Sequence, residues 1–175
     1  FVMFSFAAGL ASIIPYRVGG VFASDGAIFM RLFRADSPDN RLTSSWRIAA
    51  LFEQDDRPQD WDEAMLNRLL TPGDDPALDI GASYAAYLHH LDGGRPQIAA
   101  PYLQRALDQM PRVPILFSAA YFAEAVYFFV QIGSSPILAR SILTRLNGQN
   151  VDDITRLRAE AAVLLAEGNR DAAIQ

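Results

Sequence analysis

The hydrophobic rhythm of this chain changes twice along its length. Phe1 to Ile14 is uncharged and almost wholly apolar. Pro15-Tyr16-Arg17-Val18-Gly19-Gly20 is rich in breakers and reads as a turn or loop. From Ala27 to Arg34, Ile28, Phe29, Leu32 and Phe33 fall on one helical face. Ser24 or Asp25 suits the N-cap of that short amphipathic helix, and Arg31 and Arg34 suit its C-terminal end. Ala35 to Asn40 is polar and reads as a linker. Beyond it the pattern is helical with clear punctuation, predicting helices over Thr43 to Phe52 and Trp61 to Leu70, the second with Asp60 as N-cap. Thr71 to Pro76 is a loop. Three helical pairs follow. Ala77–Leu91 turns at Asp92-Gly93-Gly94-Arg95 into Pro96–Gln109. Pro114–Ile132 turns at Gly133-Ser134-Ser135 into Pro136–Leu146. Asp152–Ala166 turns at Glu167-Gly168-Asn169 into a helix from Arg170. The fold class is therefore all-α: an apolar N-terminal helix and a short amphipathic one, followed by an array of antiparallel helical hairpins.

The turns recur at about 35 to 40 residues, the period of a helical repeat array. Pro96 and Pro136 sit in the first turn of a second helix, where a missing N–H matters little. Small residues stand where paired helices must approach closely, at Ala99, Ala106, Ala139, Ala161 and Ala173. Ala99, Leu103, Ala106 and Leu107, then Pro111, resemble the second helix of a tetratricopeptide repeat. Leu157, Ala161, Leu164 and Gly168 resemble the first helix of another. The aromatic signature positions of that family are not all filled.

Composition narrows the function classes. Hydrophobic residues make up 51% of the 175 and charged residues 20%, so neither disorder nor a multi-span membrane protein fits the whole chain. The net charge of −5 argues against nucleic acid as a partner, because phosphate binding needs a basic face. All fifteen basic residues are Arg. With no Cys there is no disulfide, thiolate metal site or cysteine nucleophile. Phe1 to Ile14 is too short to span a bilayer, which takes roughly 20 residues. It reads either as a buried core helix or as the last part of a transmembrane helix. The start at Phe1 and the stop inside an apparent helix at Gln175 mark the chain as a piece of a longer protein.

Ser24-Asp25-Gly26 is the most informative motif. An Asp-Gly pair alone is a common turn, but here it follows an uncharged apolar run, Pro15 and a Gly-Gly loop. This order resembles the C-terminal catalytic segment of site-2 protease-type intramembrane zinc metalloproteases, the M50 peptidases. The resemblance implies that Asp25 is the third protein ligand of a catalytic zinc, with Ser24 and Gly26 its neighbours and Pro15 the family's proline. The chemistry suits the residue types, since a hydrolytic zinc takes three protein ligands and a water. A carboxylate inside a membrane is costly unless it ligates or pairs. Two features depart from the family: Ser12 stands where its Asn is expected, and no His-Glu-x-x-His occurs in the chain. Under this resemblance residues 1–36 are the end of a membrane-embedded peptidase domain. Residues 37–76 are a linker and first helical pair, and 77–175 are tetratricopeptide-like repeats. Zinc would be held by the full-length parent, with its other ligands encoded upstream. The parent would lie in a bacterial inner membrane, and Arg17, Arg31 and Arg34 favour a cytoplasmic helical array.

The other chemistry-bearing residues read more simply. Leu91-Asp92-Gly93-Gly94 spells the commoner form of the protease motif but lies between paired helices, where Gly-Gly is a helix stop. His89 and His90 are the only histidines. Neighbours on a helix point about 100° apart, so they cannot easily share a metal. Glu124 is a lone acid in an aromatic helix and is placed on a solvated edge. Phe117, Tyr121, Phe122, Tyr127, Phe128 and Phe129 are too many for one face. Most are core, and Tyr121, Phe122 and Phe128 are candidates for a concave peptide-binding groove. There is no phosphate-binding loop. Two functions remain in view, a membrane zinc protease to which this segment supplies Asp25, and a membrane-tethered helical scaffold that binds a protein or peptide.

Overall fold

The computed structural model describes residues 17–18, 22–23, 27, 30, 41–54, 56–73, 75–113, 118–149 and 151–174. Eight α-helices with defined bounds lie among them: α1 Arg41–Glu53, α2 Glu63–Leu70, α3 Pro76–Asp92, α4 Pro96–Gln109, α5 Ser118–Gln131, α6 Pro136–Asn147, α7 Asp153–Ala166 and α8 Arg170–Ile174. Single 3-10 turns at Pro58–Asp60 and Met110–Arg112 precede α2 and follow α4. The chain is all-α. No helix among the described residues is long and apolar enough to cross a membrane. Phe1 to Ile14 and the amphipathic face of Ile28, Phe29, Leu32 and Phe33 lie outside the described residues. The expected loop at Pro15–Gly20 contains a departure. Arg17–Val18 (β1) pairs antiparallel with Phe22–Ala23 (β2), Val18 opposite Phe22. A β-branched and an aromatic residue on either side of Gly19-Gly20 favour such pairing.

Short acidic side chains set the helix starts. Asp62 accepts from the Ala64 N–H at 2.8 Å, Asp75 from Leu78 at 3.3 Å and Asp152 from Thr155 at 2.9 Å. Each satisfies a donor that the first helical turn leaves open. The cap of α2 is thus Asp62 and not Asp60. The helix begins at Glu63 because Pro58 has already tightened residues 58–60 into a separate turn, which leaves Trp61 between the two. Prolines 76, 96 and 136 open their helices. The α3–α4 turn closes with Gly94 at φ +67°, a left-handed position that suits glycine. There the N–H of Gly93 donates to the His89 carbonyl and that of Arg95 to the His90 carbonyl.

The core is built in two parts around α3. One face of α3, through Ile80 and Tyr87, joins Leu103 and Leu107 of α4, Val126 and Phe128 of α5, Leu143 and Leu146 of α6, and Val163 of α7. Another face, through Ala82 and Ala85, packs on Ile48 of α1 and on Trp61, Met65 and Leu69. Ala99, Ala106 and Ala139 are fully buried, as their spacing predicts. In α7 the frame differs: Ala159 and Val163 are fully buried, Ala161 is only partly so, and Leu157 is 61% exposed. Helix α7 turns a different stripe inward from the one matched to the repeat family.

Polar side chains fix the elements across these contacts. Arg41 donates from Nε to the Leu69 carbonyl at 2.7 Å and from its second amine to Asp79, tying α1 to α2 and α3. The Arg145 guanidinium lies 4.6 Å from the Phe122 ring centre and donates to the Leu107 carbonyl at 2.9 Å, beside the Met110 N–H that this carbonyl also accepts at the end of α4. Arg140 pairs with Glu167 just past α7, through Nε at 2.9 Å and a second amine.

Candidate functional site

Asp25, Ser24, Gly26 and Pro15 lie outside the described residues. Among the described residues no three His, Cys, Asp or Glu side chains gather in a way that could hold a metal ion.

The aromatic run of α5 faces inward. Phe122 and Phe128 are each 3% exposed and belong to the core, not to a groove. The reason is their partners: Phe128 meets Tyr87 edge-on at 5.5 Å, and Phe122 lies under Arg145. Tyr121 is half-buried and packs edge-on against Tyr84 at 4.7 Å. Glu124 departs from its expected solvated edge. It is half-buried and accepts a hydrogen bond from the Tyr87 hydroxyl at 2.7 Å. This α3–α5 seam keeps its tyrosines neutral. Burial, with the nearby Glu124 charge, pushes Tyr84 up to about 12 and moves Tyr87 in the same direction. Burial also raises Tyr121.

His89 and His90 make different contacts. His89 is 3% exposed. Its Nε2 lies 3.1 Å from an Arg95 amine, which can only donate, so Nε2 accepts. Nδ1–H is then free to donate to the Pro58 carbonyl at 2.8 Å. Asp92 meets the same 3-10 turn from the helix end, accepting from Arg57 at 3.0 Å and from the Gln59 N–H at 3.2 Å. The Arg57 hydrogen bond holds the Asp92 carboxyl below its ordinary range. His90 stacks on Tyr102 at 5.3 Å, and its buried Nδ1 has no hydrogen-bond partner among the described residues. Burial first, then Arg95, lowers its pKa. The two rings line a shallow pocket of about 270 Å³ with Glu63, Asn67 and Tyr102.

The larger concavity lies on the other side of α2. A groove of about 540 Å³ runs between α1 and the segment that leads into α2. Arg47, Ala50 and Leu51 form one wall, and Asp56, Asp60, Trp61, Asp62 and Met65 the other. Trp61 is 4% exposed, and its indole N–H has no acceptor among the described residues. Phe52, 54% exposed, stands against the Trp61 ring at 5.8 Å. The carboxylate of Asp62 caps α2, whereas those of Asp56 and Asp60 accept no hydrogen bond among the described residues. Sequence reasoning passed over this groove, yet a signal was there. Glu53 to Glu63 holds six acids and one Arg around a single Trp, and that Arg is held by Asp92. No family model, curated protein or solved structure matches this chain.

Proposed function

We propose that residues 41–174 form a protein-binding module of tetratricopeptide-like helical pairs. The observation that carries this reading is the continuous core through successive pairs. The first helices of neighbouring pairs touch directly, Tyr84 on Tyr121 and Tyr87 on Phe128, while α7 enters the same cluster through Ala159 and Val163. Such stacking builds an extended surface for a protein or peptide partner and leaves few polar residues free for chemistry. The complete burial of Ala99, Leu103, Ala106 and Leu107 supports a repeat-type second helix in α4, and the shifted frame of α7 limits the likeness. The test is affinity capture from native extract on the immobilised chain, with partners identified by crosslinking and mass spectrometry. A module retains a defined partner set at physiological salt. Retention of nothing above a blank surface would sink this reading.

A second reading is favoured by one specific observation, the order of apolar run, Pro15 and Ser24-Asp25-Gly26 in the sequence. Under it the chain belongs to a membrane-embedded zinc protease of a bacterial inner membrane, Asp25 ligates the metal, and the helical module on the cytoplasmic side presents substrate. It requires a His-Glu-x-x-His helix encoded before Phe1. Asp25→Ala in that longer protein is expected to abolish metal-dependent cleavage while far-UV circular dichroism keeps its helical signal. A gene without the upstream motif would refute it, and a periplasmic signal from a reporter fused after Gln175 would refute the orientation.

A further inference from the structure

The groove between α1 and α2 has a composition that names its occupant. We infer that it docks a basic peptide segment of a partner protein, placing the stem of an Arg or Lys on Leu51 and Met65 and its charged head against Asp56 and Asp60. This inference rests on the binding-module reading and gives that module a site. Three observations carry it. The lining sets three carboxylates against one guanidinium, and the carboxylates of Asp56 and Asp60 have no hydrogen-bond donor of their own among the described residues. The floor is apolar and aromatic, with Trp61 and Met65 4% and 5% exposed. The Trp61 indole N–H is without an acceptor, at a place where a packed interior would supply one.

The chemistry of the partner follows from these. Arg and Lys are the side chains that are apolar along the stem and charged at the tip, which matches an apolar strip with an acidic rim. An acidic segment would meet repulsion from the carboxylates, and nucleic acid would meet it along its whole backbone. A divalent ion is a poor match, because no three carboxylates or imidazoles of the described residues converge on one point. Arg47, across the groove on α1, gives the site a direction by repelling the peptide's cation from that wall.

The test uses the intact chain carrying Trp46→Phe. Trp46 is 54% exposed and does not line the groove, and its replacement leaves Trp61 as the one tryptophan. Trp61 emission is followed against a blocked hexapeptide of alternating leucine and arginine, and against its glutamine counterpart. The arginine peptide is expected to shift the emission saturably. Its affinity should fall about tenfold or more in D56N/D60N and should weaken as salt is raised from about 0.05 to 0.5 M. Both aspartates are exposed, and circular dichroism of D56N/D60N confirms that the variant folds. Equal binding of the glutamine peptide, unchanged affinity in D56N/D60N, or no response of Trp61 to either peptide would each overturn the inference. The capture experiment separates the two levels. If D56N/D60N retains the same partners as the unmodified chain, the groove fails and the module reading stands. If the unmodified chain retains none, the module reading fails and takes the groove with it.

Discussion

At the scale of single residues, His89 shows what a sequence can and cannot disclose. Two adjacent histidines on a helix point in different directions, and that much was legible from spacing alone. The actual task of His89 was not, because its partner Pro58 is 31 residues away and belongs to an irregular turn. Replacing His89 with Ala removes a buried hydrogen bond, leaves the Pro58 carbonyl with only the Trp61 N–H at 3.3 Å and opens a cavity. The expected loss is about 2–4 kcal/mol, read from urea unfolding. The tyrosine seam makes a pH prediction. The folded chain keeps Tyr84 neutral up to about 12, against an ordinary value of 10.0. The unfolded chain therefore releases this proton first. The stability tied to Tyr84 is whole below pH 10 and is lost as pH rises from about 10 toward about 12. Tyrosinate absorbance and circular dichroism, followed together through an alkaline titration, should show ionisation of the seam coinciding with unfolding. Tyr84→Phe should move the unfolding midpoint to higher pH.

At the scale of elements, helix bounds were legible to within a few residues where a cap or proline marks them, as at Asp75-Pro76 and Asp152. They were misread at α2. Both Asp60 and Asp62 are good caps, and only the 3-10 turn closed by Pro58 decides between them. Helix α4 carries an internal test of backbone energetics. Pro101 lies inside it and is exposed, so it removes the donor to the Gln97 carbonyl without bringing any apolar surface into the core. Pro101→Ala should restore that hydrogen bond. Helix propensity favours the change by about 3 kcal/mol, and the greater freedom of the unfolded chain offsets up to about 1 kcal/mol. A net gain of about 2 kcal/mol is expected in thermal or urea unfolding. Ala106, buried on the same helix, should behave oppositely. Ala106→Leu forces a larger side chain into a closed contact and should cost about 1–3 kcal/mol by the same measurement.

At the scale of the whole molecule, the turns between successive helices were legible because each is written locally in Gly, Pro or Ser. The inward stripe of α7 was not, because Leu157, Ala161 and Leu164 keep helical spacing on the wrong side, and only packing against α5 and α6 selects Ala159 and Val163. Nor could spacing show that α3 belongs to two cores at once. That sharing has a consequence for cooperativity. Helices α1 and α2 could fray as a separate unit if only surface contacts held them, but they pack on Ala82 and Ala85 of the helix that also carries Ile80 and Tyr87. The Arg41–Asp79 pair, with side chains 15% and 9% exposed, crosses the same boundary. Its removal strands a largely buried guanidinium, so Asp79→Ala should destabilise the chain by about 3–5 kcal/mol. The chain's two tryptophans, Trp46 and Trp61, sit in the α1–α2 part, so their fluorescence reports that part while circular dichroism reports all helices. Shared packing through α3 predicts coincident transitions by the two probes in the unmodified chain, and a matched shift of both midpoints in Asp79→Ala. A fluorescence midpoint that fell alone, with the circular dichroism transition left in place, would show that α1 and α2 unfold independently and that the two cores are not one cooperative unit.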